Sequence, residues 1–138
     1  MAQLLNTKIL TQERLLFEGQ VKSIVAPAVN GYLGIRPRHA PLMAALGDGV
    51  LKILLENESI YFAISGGFLQ VKSNRVIVLA DKAIPAADID LAEAEKRVEE
   101  LKLALEKGAG KPQERERLSR ELEQARVHSR AARMTREY

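Results

Sequence analysis

The chain of 138 residues has no cysteine and no tryptophan, and only 4% of its residues are aromatic. Without cysteine there are no disulfides and no thiolate metal ligands, which fits a cytosolic setting. Histidine is nearly as scarce, with only His39 and His128. No stretch approaches the ~20 consecutive apolar residues that a membrane-spanning helix requires. The opening residues Met1-Ala2-Gln3-Leu4-Leu5-Asn6 lack the basic and long apolar regions of a secretory signal, so none is expected. Neither G-x-S-x-G nor H-E-x-x-H occurs. An enzyme would have to build its pocket from His39 or from carboxylates, and no motif supports that.

What is present divides unevenly along the chain. Residues 1–87 hold 9 basic and 6 acidic side chains, and residues 88–138 hold 12 of each. The second part is therefore denser in charge but balanced, as expected of solvated helices laced by i,i+4 pairs. Its basic excess lies at the end, where Arg126 to Tyr138 includes four arginines and one glutamate.

From Gln3 to Ile84 the pattern is one of short β-strands. Val50–Leu55 and Ser59–Ile64 flank Glu56-Asn57-Glu58, and Phe68–Lys72 and Arg75–Ala80 flank Ser73-Asn74; both read as hairpins. Earlier strand candidates are Leu4–Leu10, Arg14–Phe17 and Gln20–Ala26. Closely spaced short strands favour a sandwich or flattened barrel over an α/β sheet. Several are apolar on both faces, as central strands between packed layers would be.

The period changes near Pro85-Ala86-Ala87. Asp88 or Asp90 can cap a helix whose first turns carry Glu93 and Glu95, at the positive end of the dipole. Leu91, Ala94, Val98, Leu101 and Leu105 then form a narrow stripe. Lys107-Gly108-Ala109-Gly110-Lys111-Pro112 stops this helix with glycine and restarts with proline. It lacks the spacing and the Ser/Thr of a phosphate loop. A second helix is expected from about Gln113 to Glu137, with Leu118, Leu122, Ala125, Ser129 and Ala132 as its stripe and His128 facing solvent. Two such helices make an antiparallel hairpin. Its Ala- and Ser-rich seam buries little area, which suits both a hairpin that opens and an arm that stays shut. Arg126, Arg130 and Arg133 form a basic stripe beside the apolar one. Such a helix suits an acidic groove with an apolar floor; the alternative is a simple solvated face.

The segment Ala26–Leu42 places three prolines and two glycines among Val, Leu, Ile and Tyr, and reads as a shaped, packed binding loop. His39 within it is expected to be a packed or hydrogen-bonded loop residue rather than a base. The pattern G-x-L-G-I-x-P-x-H-A-P-L from Gly31 to Leu42 resembles the epsilon subunit of the rotary F-type ATP synthase, of bacterial or plastid type. Ser65-Gly66-Gly67-Phe68-Leu69-Gln70-Val71, followed by Asn74, Val76, Val78, Leu79-Ala80-Asp81 and Ala83, resembles the same family. The likeness extends over the whole chain, with its specific motifs in the β half.

The resemblance implies an N-terminal β-sandwich over residues 1–86, a flattened barrel of about ten short strands. A C-terminal antiparallel two-helix hairpin over residues 87–138 follows. It implies a non-catalytic subunit of the central stalk, coupling proton-driven c-ring rotation to ATP synthesis and regulating hydrolysis through its helices. The gamma subunit and the c-ring would be partners of the sandwich, and the alpha/beta subunits partners of the last helix. No metal, cofactor or nucleic acid is expected, and the membrane is met only through the complex. That complex would lie on the cytoplasmic face of a bacterial plasma membrane or the stromal face of a thylakoid.

The resemblance places the c-ring contact at Asn30, Gly31 and Tyr32, with Arg36, Arg38 and His39 nearby. Regulatory helix contacts fall to Arg115, Leu118, Leu122, Arg126, Arg130 and Arg133. Some bacterial relatives bind ATP through I-D-x-x-R-A; here Ile89, Asp90 and Ala94 match, Arg126 and Arg130 are available, and Glu93 replaces the arginine. A carboxylate there repels triphosphate, so weak or absent binding is expected. The alternative is a nucleic-acid- or protein-binding module using the basic hairpin, which heparin retention of residues 88–138 against 1–87 would separate.

Overall fold

The computed structural model describes residues 3–108 and 110–136. Ala109 of the interhelical loop, Glu137 at the expected end of the second helix, and residues 1, 2 and 138 lie outside them. Seven strands run β1 Leu5–Leu10, β2 Leu15–Val21, β3 Ser23–Ala28, β4 Gly31–Ile35, β5 Leu42–Leu54, β6 Ser59–Lys72 and β7 Arg75–Pro85. A 3-10 turn at Ala86–Asp88 leads to α1 Leu91–Glu106 and α2 Pro112–Met134. The sheet order is β2-β1-β7-β6-β5-β3-β4, with β1 and β7 parallel and every other pair antiparallel.

One core cluster gathers Leu5 and Ile9 of β1 with Ile24 of β3 and Ile35 of β4, from far apart in the strand order. The sheet therefore closes over itself into two facing layers. Phe17 and Phe62 meet edge to face inside this arrangement, with ring centroids 6.4 Å apart.

Among the described residues there are seven strands rather than about ten, because β5, β6 and β7 run 13, 14 and 11 residues. Ser59–Ile64 and Phe68–Lys72 read as separate strands, yet both belong to β6. Gly66 (φ +70°) and Gly67 (φ +126°) turn the strand without breaking it. Pairing with β5 keeps one register on both sides of them, from Ile64↔Gly49 to Phe68↔Ala45. A Cβ at Gly67 would collide with the Leu79 carbonyl oxygen. Gln20–Ala26, expected as one strand, is split at Lys22, where the chain leaves β1's neighbour to join β4 and β5. The segment read as a loop is partly strand, since Gly31–Ile35 forms β4. The turn Ser73-Asn74 is a two-residue hairpin with both residues at positive φ, the primed geometry that matches strand twist.

Asp90 is the helix cap, its carboxylate accepting from Glu93 N–H at 3.1 Å. The first helix closes on Gly108 at φ +77°, and Pro112 sits in the first turn of α2. Leu101, Leu122 and Ala125 are buried in the hairpin seam, flanked by Val98, Leu105 and Leu118. A second face of α2 lies on the sheet: Val127, Ala131 and Ala132 join Val50 of β5 and Ala63 of β6. This contact explains why β5 is apolar on both sides. Leu51 and Ile53 enter the sandwich core while Val50 lies under the helix. Among the described residues, no helix is long and apolar enough to cross a membrane.

Candidate binding surfaces

At the β3–β4 turn, Asn30 and Gly31 are exposed and Gly31 adopts φ +122°. Tyr32 follows, 57% exposed. Pro27 cannot donate to a ladder, and the β3–β5 pairing is irregular between Val25 and Ala28. There the Tyr32 hydroxyl accepts a hydrogen bond from Val50 N–H at 3.2 Å. Gly49 makes room for this, because a Cβ on it would lie 2.8 Å from the Tyr32 hydroxyl.

Arg36, Arg38 and His39 lie beyond the other end of β4. Arg38 has φ +70°; its N–H donates to Asn74 Oδ1 at 2.6 Å and its Nε to Gln3 Oε1 at 3.0 Å. His39 Nδ1 is 2.8 Å from the Ala40 carbonyl, which requires Nδ1 to carry the proton. His39 is thus a hydrogen-bonded, half-buried loop residue. The six residues expected at one contact divide into a tip (Asn30, Gly31, Tyr32) and a corner (Arg36, Arg38, His39). A strand of five residues separates them, roughly 13 Å at ~3.3 Å per residue.

Sequence reasoning missed a third surface. Phe68 of β6 stands between Ala45 and Leu79, and the next row but one carries Met43, Gln70 and Ile77. Alternation turns Leu69, Val71, Val76 and Val78 into the core and leaves these residues outside. Met43 is 70% and Phe68 58% exposed, with Ile77 and Leu79 also exposed. Lys72, Ser73 and Arg75 edge this face around a hollow of about 390 Å³. The available signal was the apolar residues on both faces of Arg75–Ala80.

The hairpin has two hollows. One, of about 370 Å³, is lined by Lys102, Arg126, Arg130 and Arg133 with Glu95 and Glu99, and Arg133 pairs with Glu95 at 3.5 Å. The other, of about 290 Å³, is lined by Asp88, Ile89, Asp90, Glu93, Ala94, Arg97 and His128. The five residues suggested for a nucleotide are therefore parted, with Ile89, Asp90 and Ala94 in one hollow and Arg126 and Arg130 in the other. Arg115 is exposed near the start of α2, while Leu118 and Leu122 point into the seam. His128 does not face open solvent: it is half-buried, and burial lowers its pKa below the usual 6.5. Nearby, Gln124 Nε2 donates to Ser65 Oγ at 3.4 Å, and Ser65 Oγ donates to Asp48 Oδ1 at 2.9 Å, tying α2 to the sheet. The sheet-facing residues Gln124, Val127, His128 and Ala131 stand at spacings of 3, 1 and 3, one helical face overlooked beside the leucine stripe.

A two-layer sandwich with an uncovered apolar face, carrying a helical hairpin folded back on its other side, defines a small binding subunit. The family model for the ATP synthase delta/epsilon chain, beta-sandwich domain, matches residues 4–86. The chain is 47% identical over 98 residues to the ATP synthase epsilon chain of Dehalococcoides mccartyi, covering 69% of this chain and 70% of that one. It is 38% identical over 109 residues to the chloroplastic epsilon chain of Coffea arabica, covering 79% and 83%. A chain in the cryo-EM structure of the Euglena gracilis mitochondrial ATP synthase (OSCP/F1/c-ring, rotational state 1) shares the fold. It superposes with a TM-score of 0.82 at 22% identity, over 95% of this chain and 82% of that one. This chain belongs to the ATP synthase delta/epsilon family.

Proposed function

We propose that the chain is a central-stalk subunit of an F-type ATP synthase, non-catalytic by itself, that couples c-ring rotation to ATP synthesis and restrains hydrolysis. The observation that carries this reading is the outward row of Met43, Phe68, Ile77 and Leu79. Solvated apolar residues clustered on one sheet face mark a lasting protein contact, and aromatic anchors at its centre carry most of the energy. The gamma subunit is the partner assigned to that face. The tip at Asn30, Gly31 and Tyr32 bears the c-ring contact, and the corner of Arg36, Arg38 and His39 bears a second, cationic one. Residues 1–86 form the coupling unit and residues 87–138 the regulatory one, whose last helix reaches the alpha/beta subunits when extended. The membrane is met through the complex, on the cytoplasmic face of a bacterial plasma membrane or the stromal face of a thylakoid. The assembly that contains the Euglena relative, with F1 and a c-ring, supports this set of partners. Acidic side chains interleave with the arginines of α2, as in the pairs Arg117–Glu121 and Arg133–Glu95, which favours a protein partner over nucleic acid.

The test is co-purification with gamma. Phe68→Asp combined with Leu79→Asp is expected to weaken binding at least tenfold while leaving the thermal midpoint within a few degrees, since both side chains lie outside the core. Undiminished binding by this variant would reject the assigned surface.

A further inference from the structure

The hollow around His128 sits where the helices leave the sandwich. Ile84 near the end of β7 forms one wall, the connector residues Asp88 and Ile89 a second, and the first turns of α1 a third. His128 projects from α2 into this hinge. Its wall at Ile84 exists only while the hairpin lies folded on the sheet.

We propose that His128 makes the closed hairpin sensitive to pH: protonation of its ring, wedged between α2 and the hinge of α1, releases the helices from the sheet. The charged groups lining the hollow are Asp88 on the connector and Asp90, Glu93 and Arg97 on α1, and just past α2 Arg136 donates to the Ile89 carbonyl in its wall at 3.4 Å. Asp90 is committed to the Glu93 N–H as helix cap. Arg97 is committed to Glu100 and to Glu121, one face of α2 before His128. From the sheet, Asp48 is bonded to Ser65, which meets Gln124 one turn before the histidine. Among the described residues, no carboxylate is within ion-pairing distance of the ring.

Burial is what lowers the proton affinity of His128 in the closed form. Opening returns the ring to water and to its ordinary affinity, so protons favour the open form. For a base with a depressed pKa in the closed state, closure is at full strength above the ordinary histidine range. It weakens as pH falls through that range. The opposing contact is modest: Val127, Ala131 and Ala132 are small side chains, with Tyr61, Ile84, Leu91 and Met134 only partly buried against them and one Arg136 hydrogen bond to the Ile89 carbonyl at 3.4 Å. A single proton can therefore shift the balance. The inference rests on the proposed regulatory role of the helices, and it gives that role an input: acidification on the stalk side, as when a proton gradient collapses, would favour the extended, inhibitory form.

The absence of cysteine makes a direct test simple. Spin labels on Glu116→Cys and Lys82→Cys, both exposed positions, report the distance between α2 and the sandwich in the full chain. Between about pH 7.5 and about pH 5.5 the ratio of open to closed chains is expected to rise twofold or more, with a ceiling of about tenfold per pH unit for one proton. In His128→Gln and His128→Leu that response disappears. A parent chain with no pH response, or variants that keep the parent's response, would overturn the proposal. If either variant unfolds at neutral pH, the other and the parent's own titration still decide it. If opening follows His128 but hydrolysis by the reconstituted complex does not follow opening, the hinge stands and the inhibitory reading falls.

Discussion

Tyr32 serves its own domain and, under the proposed function, a partner as well. Its hydroxyl supplies Val50 N–H with an acceptor, while more than half of the residue stays in solvent. The two roles separate by substitution. Tyr32→Phe removes only the acceptor and is expected to cost ~1 kcal/mol in denaturant unfolding, with coupling of proton flow to synthesis unchanged. Tyr32→Asp loses the same bond and places a charge at the tip proposed to meet the c-ring. It is expected to weaken coupling in membrane vesicles while the sandwich remains folded. Normal coupling in Tyr32→Asp would remove the tip from the ring contact. Gly67 answers to packing alone: at φ +126°, with the Leu79 carbonyl where a Cβ would go, Gly67→Ala is expected to cost roughly 2–4 kcal/mol. An unfolding midpoint close to the parent's would show that β6 can shift around an added methyl.

The helical hairpin is held mainly by apolar contact. Its ion pairs, Arg97–Glu121 at 3.3 Å and Arg133–Glu95 at 3.5 Å, are largely exposed, and pairs of that kind contribute ~0–1 kcal/mol each. Val127→Asp, which forces a carboxylate between Val50 and Ala63, is therefore expected to detach α2 and leave the sandwich core intact. Proteolysis should then speed up in the connector 86–90, while residues 1–85 stay protected. The same element bears on nucleotide. Asp90 is occupied as a cap, Glu93 adds charge beside it, and Arg126 and Arg130 face another hollow. Calorimetry on the isolated chain is expected to find ATP affinity weaker than micromolar, and tighter binding would mean that the helices rearrange around the ligand. Elements with local codes were legible in the sequence: the Ser73-Asn74 hairpin, a cap at Asp88 or Asp90, the glycine stop and the proline restart. Three features were not, because they depend on contacts distant in sequence. Glycines at 66 and 67 read as a break, yet neighbouring strands carry β6 through them. Lys22 carries no turn signal, although the two layers part there. The face of α2 holding Val127 and His128 was hidden by the stronger leucine stripe.

Across the whole molecule, the two units differ in how much they need each other. The sandwich closes its own core with Leu5, Ile9, Ile24, Ile35, Leu51 and Ile53, all fully buried without help from the helices. The hairpin has only its seam and the small-residue contact with β5 and β6. It can therefore move while the sandwich stays folded and bound. In the closed form Arg126 and Arg130 are exposed, whereas Leu118 and Leu122 are spent on α1. Opening makes the cations and leucines available together, as the proposed inhibitory contact with the alpha/beta subunits would use them. States separated by a few kcal/mol are within reach of a partner's differential affinity. Deleting residues 88–138 is expected to raise ATP hydrolysis by the reconstituted complex roughly fivefold or more, the usual scale of an allosteric coupling. Assembly should survive, although Val50 and Ala63 become solvated and some thermal stability is lost. Changing Arg126, Arg130 and Arg133 together to Ala should give much of the same release. Added salt should reproduce it in the parent complex, because these cations are exposed and screened. If the shortened chain assembles and hydrolysis stays the same at every salt concentration, the helices are a fixed arm that serves the stalk only as a brace.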